Sequence, residues 1–197
     1  GQMAWLDGRA TSGSWRVAKD FPDLPAWIVK AVGGTTTHWA GATPRFKDYE
    51  FKALSTYGKL EGASLLDWPI SLEEMEPYYD KAEKALGSTH RHGRPPLPAN
   101  NNYKVFEAGA KKLGYKQVHT GRMAINAQDY DGRSSCQQAG FCFQGCKYGA
   151  KWSAAYTDIP RGEATGNLEV REQSHVLRIE HNKAGKVTGV VYADKDG

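Results

Sequence analysis

The residues best suited to chemistry are three cysteines that lie within one short stretch of the chain. Residues 131–152 contain all of them, Cys136, Cys142 and Cys146, with five residues between the first two and three between the last two. Glycines lie between and just after them, and glycine lets a backbone fold closely around a bound group. Thiolates that converge on one centre hold a metal ion or an iron–sulfur cluster, so the stretch predicts such a loop.

Three kinds of site compete for these cysteines. A disulfide would leave one cysteine over, which fits a secreted framework poorly. A structural zinc ion would need a fourth ligand, and the candidates, His119 and His175, are not at a typical zinc-finger spacing. An iron–sulfur cubane that lacks one iron needs only three thiolates. Buried free cysteines are common, but clustering of all three within eleven residues argues against three unrelated ones. We rank the cluster first, zinc second and the disulfide third.

A second stretch, Gly33-Gly34-Thr35-Thr36-Thr37-His38-Trp39, could bind a cofactor. Unhindered backbone N–H groups next to hydroxyl side chains are suitable donors for a phosphate or for the electron-rich edge of a cofactor ring. Gly-Gly-Thr is also an ordinary turn. The stretch is not a Walker loop, because the Gly-Lys-Ser/Thr ending is absent.

The composition excludes several classes of partner. The chain has 197 residues, enough for one domain or one and a half, and a dispersed net charge of +4 without a basic tract for nucleic acid. No apolar run approaches the roughly 20 residues of a membrane helix, and no stretch reads as a signal peptide. Neither end looks like a natural terminus, so we expect a fragment.

The sequence predicts some of the secondary-structure elements that must position the two stretches. Residues 1–30 predict an irregular segment over an apolar surface, and residues 47–70 a loop. A helix is predicted from Ser71 to about Leu86, with a capping box of Ser71 and Glu74 and a C-cap at Gly87. Its apolar stripe is interpreted as core packing and comprises Leu72, Met75, Tyr79, Ala82 and Leu86.

The rest of the chain predicts shorter elements. A second helix should cover Tyr103 to Leu113, and a helix or turn should run from Ser153 to Ile159 and end at Pro160. Three strands are predicted, at residues 168–172, 175–181 and 186–192, with a hairpin turn at 182–185. The predicted fold class is therefore mixed α/β, of α+β character.

Both stretches together resemble the glucose–methanol–choline (GMC) oxidoreductases. Two motifs show the resemblance most specifically: residues 32–46 and the cysteine spacing Cys136-x5-Cys142-x3-Cys146. Residues 67–71 and residues 166–170, which lead to His175-Val176, also fit the family. Within the family the chain is most similar to the flavoprotein subunits of bacterial glucose, gluconate, sorbitol and fructose dehydrogenases. The Gly-Gly-Thr-Thr-x-His-Trp stretch also resembles the pyranose 2-oxidases.

The resemblance implies an FAD-dependent dehydrogenase that oxidises a CH–OH group of a sugar, sugar acid or polyol. Hydride would pass to flavin N5, and electrons would leave through a 3Fe–4S cluster to a multihaem cytochrome c subunit. A small chaperone-like subunit and a place on the periplasmic face of a bacterial inner membrane are implied as well. The resemblance gives no role for nucleic acid and none for a direct membrane span.

Site residues follow from the same resemblance. Cys136, Cys142 and Cys146 would hold the cluster. The FAD contacts would be Gly33, Gly34, Thr35, Thr36, His38, Trp39 and, through its backbone to the adenine, Val176. Trp39 stands where many members have Asn.

His38 stands where some members bind flavin covalently. The cluster-bearing dehydrogenases hold FAD without that bond, so we expect His38 to be a non-covalent contact or a packing residue. Two alternatives stay open: an oxygen-using GMC oxidase with FAD bonded to His38, and a non-catalytic zinc or iron–sulfur module.

Two family features are absent from the sequence. No Gly-x-Gly-x-x-Gly turn follows an N-terminal strand, so the chain would be a partial FAD-binding domain with an inserted helical and loop region. The family's catalytic histidine would lie beyond residue 197, and no catalytic residue is named. The predicted parts are 1–46, contacting flavin; 47–130, a cap or substrate-side region; 131–152, the cluster loop; and 153–197, the β-rich part of the FAD-binding domain.

Overall fold

The computed structural model describes residues 29–196, so the prediction for residues 1–30 lies almost wholly outside the described residues. Two compact units divide between Tyr156 and Thr157. The described part of the first unit contains four α-helices: α1 (Asp48–Phe51), α2 (Ala53–Tyr57), α3 (Leu72–Leu86) and α4 (Asn101–Lys112). The second contains α5 (Asp158–Ala164) and strands β1 (His175–His181) and β2 (Val187–Ala193). This mixture of helices with a small antiparallel sheet agrees with the predicted class.

Three short extended segments form the centre of the first unit. Residues 122–126 lie in the middle: Ala124 N–H donates to Gly41 O on one side, and Asn126 N–H donates to Ala150 O at 2.9 Å on the other. Ala124, Ile125 and Ala150 are among its few fully buried apolar residues. This ladder connects the two stretches singled out above. The glycine–threonine turn leads into the first segment, and the cysteine loop runs from the second to the third.

The capped helix is confirmed as α3. The Ser71 hydroxyl accepts the Glu74 N–H at 3.1 Å, the Glu74 carboxylate accepts the Ser71 N–H at 2.8 Å, and Gly87 ends the helix with a φ of 73°. These contacts satisfy N–H groups that a helix start leaves without intrahelical partners.

The interpretation of the apolar stripe on α3 is wrong. Its members are half-buried, or exposed in the case of Ala82, whereas the fully buried residue of the helix is Glu83. The reason is electrostatic: guanidinium groups of Arg45, Arg91 and Arg122 surround the Glu83 carboxylate and compensate its burial.

Residues 47–70, predicted as a loop, contain α1 and α2. Phe51 at the end of α1 is buried, with its ring centroid 5.8 Å from that of Trp68 and 6.2 Å from that of Phe46. The backbone N–H of Trp68 also donates to Phe51 O at 2.8 Å. This aromatic cluster packs the two ends of the segment against each other. The sequence shows no regular spacing of apolar residues that would have predicted this packing.

Two predicted helix bounds differ from those observed. α4 begins at Asn101, two residues early, because the Asn100 side chain caps it by accepting the Tyr103 N–H at 2.9 Å. The helix or turn predicted from Ser153 to Ile159 is a 3-10 turn at Ala154–Tyr156, and a separate helix, α5, begins at Asp158 and runs past Pro160 to Ala164. Pro160 is the third residue of α5, and proline is tolerated in a first turn because N–H groups there have no intrahelical acceptor.

The sheet of the second unit has two strands where three were predicted. β1 and β2 pair antiparallel, with Val176 opposite Tyr192, and Asn182 and Gly185 form the predicted hairpin turn. The strand predicted at residues 168–172 is wrong. Leu168 instead lies over Gly162 of α5, so close that a Cβ on Gly162 would come within 2.6 Å of its Cδ2. Within residues 29–196, no helix is long and apolar enough to cross a membrane.

Candidate functional site

The glycine–threonine stretch forms one turn of 3-10 helix, Gly34–Thr37. Gly33 precedes it with a φ of 89°, in the left-handed region that favours glycine. The Thr37 hydroxyl donates to Gly34 O at 2.9 Å, and the Thr36 hydroxyl donates to Gly33 O. The threonine hydroxyls therefore stabilise the turn itself, whereas Thr35 is exposed and Gly34 has open space around its α-carbon.

This turn packs directly against the residues that follow the cysteine loop. A Cβ on Gly33 would lie 2.6 Å from the Cβ of Ala155, closer than two carbons can approach. The Thr36 hydroxyl lies 3.3 Å from the buried Ser153 hydroxyl and accepts the Ala154 N–H at 3.2 Å. Gly33 is thus required by its neighbour as well as by its backbone conformation.

Trp39 makes a second connection across the same interface. Its indole N–H donates to Trp152 O at 2.8 Å, and the two rings meet edge to face with centroids 6.1 Å apart. A half-buried tryptophan usually finds a partner for its N–H, and here the partner is the backbone at the end of the cysteine loop. Trp39 therefore positions the loop, a role that sequence reasoning did not assign to it.

The three cysteines line one cavity of about 250 Å³. All three are free thiols and half-buried. Gln138 has a φ of 54°, and its backbone N–H donates to the Cys136 sulfur at 3.4 Å. A donor aimed at a sulfur stabilises negative charge there, as at the sulfurs of iron–sulfur sites.

Two polar side chains hold the cysteine loop closed at its base. The buried Asn126 amide donates to Tyr130 O and to Arg133 O, both at 3.0 Å, while Asn126 O accepts the Cys136 N–H at 2.8 Å. The Arg133 guanidinium donates to Ala150 O at 3.0 Å. These contacts fix the backbone position of Cys136 at the edge of the cavity.

Lys151 connects the cysteine loop to the glycine–threonine turn. Its side chain is fully buried, and its ammonium donates to three backbone oxygens: Thr37 O at 3.0 Å, Trp39 O at 2.8 Å and Cys142 O at 2.7 Å. An ammonium has three donors, and each has an acceptor here.

Burial changes the acid–base properties of the site. It lowers the pKa of Lys151, although the nearby Cys142 and Cys146 sulfurs oppose that shift. It raises the pKa of the Cys142 thiol, as does the charge of Cys136, while Lys151 acts in the opposite direction. Burial and then the charge of Cys146 raise the pKa of Tyr156 to about 12. Burial therefore favours the neutral thiol of Cys142, and a bound cation would be needed to favour the thiolate that binds metal.

The remaining predicted cofactor residues lie in different units. His38 is half-buried at the end of the turn, and its backbone N–H donates to Thr35 O at 3.2 Å. Val176 lies in β1 of the second unit and is half exposed. The structure therefore brings the turn and the cysteines together within the first unit, and the adenine contact at Val176 stays a prediction.

Two carboxylates of α3 and a histidine that follows the helix have the spacing of metal ligands, but their contacts show that they are not a metal site. Asp80, Glu83 and His92 have ligand atoms within 4.8 Å of one another. The carboxylates of Asp80 and Glu83 already bind Arg45 and Arg91, and the His92 ring lies 3.0 Å from Asp80 O. The group is an ion-pair network that fixes the segment 43–45 to α3.

Sequence comparison places these features in a known family. The sequence model of the GMC oxidoreductase family matches residues 24–197. Among curated proteins, the large subunit of fructose dehydrogenase from Gluconobacter japonicus is 30% identical over 89% of this chain and 34% of its own length. The 2-methyl-1,2-propanediol dehydrogenase of Mycolicibacterium austroafricanum is 32% identical over 85% of this chain and 32% of its own.

A relative named as an oxidase matches similarly. The paromamine 6'-oxidase of Streptomyces fradiae is 30% identical over 87% of this chain and 32% of its own length. The chain thus spans about a third of the length of these relatives.

Proposed function

Because the chain belongs to the GMC oxidoreductase family, we propose that it is part of an FAD-dependent dehydrogenase that oxidises a CH–OH group of a sugar, sugar acid or polyol. The relatives named fructose dehydrogenase and 2-methyl-1,2-propanediol dehydrogenase both support an alcohol group as the site of oxidation. When bound, FAD would accept the hydride at N5 and supply electrons to the next carrier.

The turn at residues 33–39 would hold part of the flavin. Gly34 offers backbone that no side chain obstructs, and Thr35 is exposed beside it. Gly33 and Thr36 shape the turn from behind through Ala155 and Ser153. His38 and Trp39 follow the turn along the chain and would add further contacts to the flavin, and Val176 would contact the adenine through its backbone. The exposed Thr35 hydroxyl would be the donor to a polar cofactor edge, because the Gly34 N–H donates to Ala31 O and the Thr36 and Thr37 hydroxyls donate within the turn.

Cys136, Cys142 and Cys146 would hold a 3Fe–4S cluster. The shared cavity of about 250 Å³ and the N–H donor at the Cys136 sulfur support this assignment. A structural zinc ion would need a fourth ligand besides the three thiolates.

The electrons would then leave to a partner subunit. We propose a multihaem cytochrome c subunit and a small chaperone-like subunit, at the periplasmic face of a bacterial inner membrane. The name of the Gluconobacter relative, a large subunit, supports an enzyme assembled from several chains.

The observation that carries the proposal is the hydrogen-bonded connection between the turn and the three-cysteine cavity through Lys151. The test is to purify the full-length protein without air and to measure iron, acid-labile sulfide and FAD. We expect about three irons and four sulfides per FAD. Variants Cys136→Ser, Cys142→Ser and Cys146→Ser should each lose iron and sulfide, and Ser134→Ala should keep both. Zinc without sulfide would contradict the cluster and favour the non-catalytic module.

An oxygen-using oxidase is the second candidate, favoured by the similarity to paromamine 6'-oxidase. The two candidates differ in their acceptor and in the attachment of flavin to His38. Acid precipitation should release free FAD from the dehydrogenase, whereas flavin fluorescence that stays with the denatured protein would support the oxidase.

A further inference from the structure

We propose that Lys151 is a positioning residue that fixes the flavin-binding turn to the cluster loop and supplies a buried positive charge that raises the reduction potential of the cluster. This inference rests on the cluster proposed above. It starts from the three hydrogen bonds of the ammonium, which reach Thr37 O and Trp39 O in the turn and Cys142 O in the loop. One side chain thus contacts both cofactor segments.

The burial of Lys151 calls for a negative charge nearby. Moving an ammonium out of water costs several kcal/mol unless it is both hydrogen-bonded and paired. The three carbonyl oxygens satisfy its donors but carry no net charge. Among the ion pairs formed within residues 29–196, none involves Lys151. The cysteine loop can supply that charge, because the ammonium binds Cys142 O at 2.7 Å and Cys142 becomes a thiolate when it is a ligand.

The charge has a direct consequence for electron transfer. A cluster held by three thiolates becomes more negative when it gains an electron, and a buried cation stabilises that reduced form. Net charge and hydrogen bonding around the sulfurs are main determinants of cluster potentials. Lys151 should therefore raise the potential and make the cluster a better acceptor for electrons from the flavin.

Two variants separate the charge of Lys151 from its hydrogen bonds. Lys151→Met removes both, and Lys151→Gln keeps donors without the charge. In the full-length holoprotein, we expect the cluster potential measured by a redox titration with electron paramagnetic resonance to be more negative in both variants. Lys147→Met is the matched control, because Lys147 lines the same cavity but is exposed. Its charge is screened by solvent, and its removal should shift the potential less.

The outcomes distinguish this inference from the proposed function. Wild-type protein without iron and sulfide would overturn the cluster itself. Wild-type protein with a cluster, and Lys151 variants whose potentials shift no more than that of Lys147→Met, would overturn only the role of Lys151. If the Met and Gln variants lose the cluster, Lys151→Arg decides. Retention of the cluster by that variant supports the role of the charge, and its loss overturns it.

Discussion

The guanidinium of Arg45 binds the buried carboxylate of Glu83 through two hydrogen bonds, Nε to Oε1 at 2.9 Å and Nη2 to Oε2 at 2.6 Å. Arg91 and Arg122 each add one further bond to the same carboxylate, both at 2.9 Å. Paired hydrogen bonds of this geometry are among the stronger polar contacts in proteins. The pair joins α3 to the end of the first extended segment and thereby supports the ladder under both cofactor stretches.

Replacing Glu83 by Gln should destabilise the protein by about 3 kcal/mol, because it leaves three guanidinium groups around a neutral amide. Urea unfolding followed by circular dichroism measures the loss. Glu73→Gln is the control, since Glu73 is an exposed residue of the same helix and its loss should change the free energy of unfolding by less than about 0.5 kcal/mol. Equal effects of the two substitutions would contradict the role of the network.

The network also makes stability depend on pH. Burial acts to raise the pKa of Glu83, but hydrogen bonds from Arg45 and Arg91 outweigh it and the pKa lies below its ordinary value of 4.5. A lowered carboxylate pKa gives stability that is complete above 4.5 and is lost as the pH falls through the folded-state pKa. The free energy of unfolding should therefore fall below pH 4.5, and less steeply in Glu83→Gln than in the wild type. Parallel curves would show that other groups cause the acid sensitivity.

Gly33→Ala should weaken FAD binding and stability together. The substitution strains a backbone with a φ of 89° and places a methyl group 2.6 Å from the Ala155 Cβ. We expect about 1–2 kcal/mol from the backbone and another 1–3 kcal/mol from the collision. Gly62→Ala is the control for the backbone effect alone, because Gly62 has a φ of 76° and open space. The double variant Gly33→Ala, Ala155→Gly should recover only part of the second loss in thermal unfolding and in bound FAD, because the new methyl group would still lie 2.9 Å from the backbone nitrogen of residue 155.

Asn126→Ala should loosen the cysteine loop. The substitution removes the side-chain donor, at 3.0 Å, from both Tyr130 O and Arg133 O. Each oxygen keeps one backbone N–H donor, so we expect a loss of about 1 kcal/mol. We expect a lower iron content per protein after anaerobic purification, with the turn at residues 33–39 still able to bind FAD. Gln144→Ala, an exposed change in the same loop, should keep the iron. Full iron content in Asn126→Ala would show that the loop is held by other contacts.

The parts of this fold that could be predicted from sequence are those decided by neighbours along the chain. The capping box of Ser71 and Glu74 and the hairpin turn at Asn182 depend on residues two to four positions apart, and both are confirmed. The same local reasoning failed at Pro160, where the rule against proline in helices does not apply to a first turn.

The contacts that organise the candidate site could not be predicted in the same way. Lys151 and Asn126 act through backbone oxygens, so no charge pattern or spacing of partner side chains marks them. Lys151 sits at the end of the cysteine stretch, but its acceptor in the turn, Trp39 O, is 112 residues away. Glu83 lay on the polar side of a clear helical pattern, and its burial depends on arginines from three separate segments.

The distance along the chain between the turn and its supports determines when the turn can be fixed in its final place during synthesis. The Trp39 indole binds Trp152 O, 113 residues later, and the Thr36 hydroxyl binds the Ala154 N–H, 118 residues later. At roughly 5–20 residues per second, a ribosome needs about 6–24 s to make the intervening segment. Until then the glycine–threonine turn has neither Ala155 nor Lys151 to hold it, so the nascent chain would complete the cysteine loop before its flavin surface is shaped.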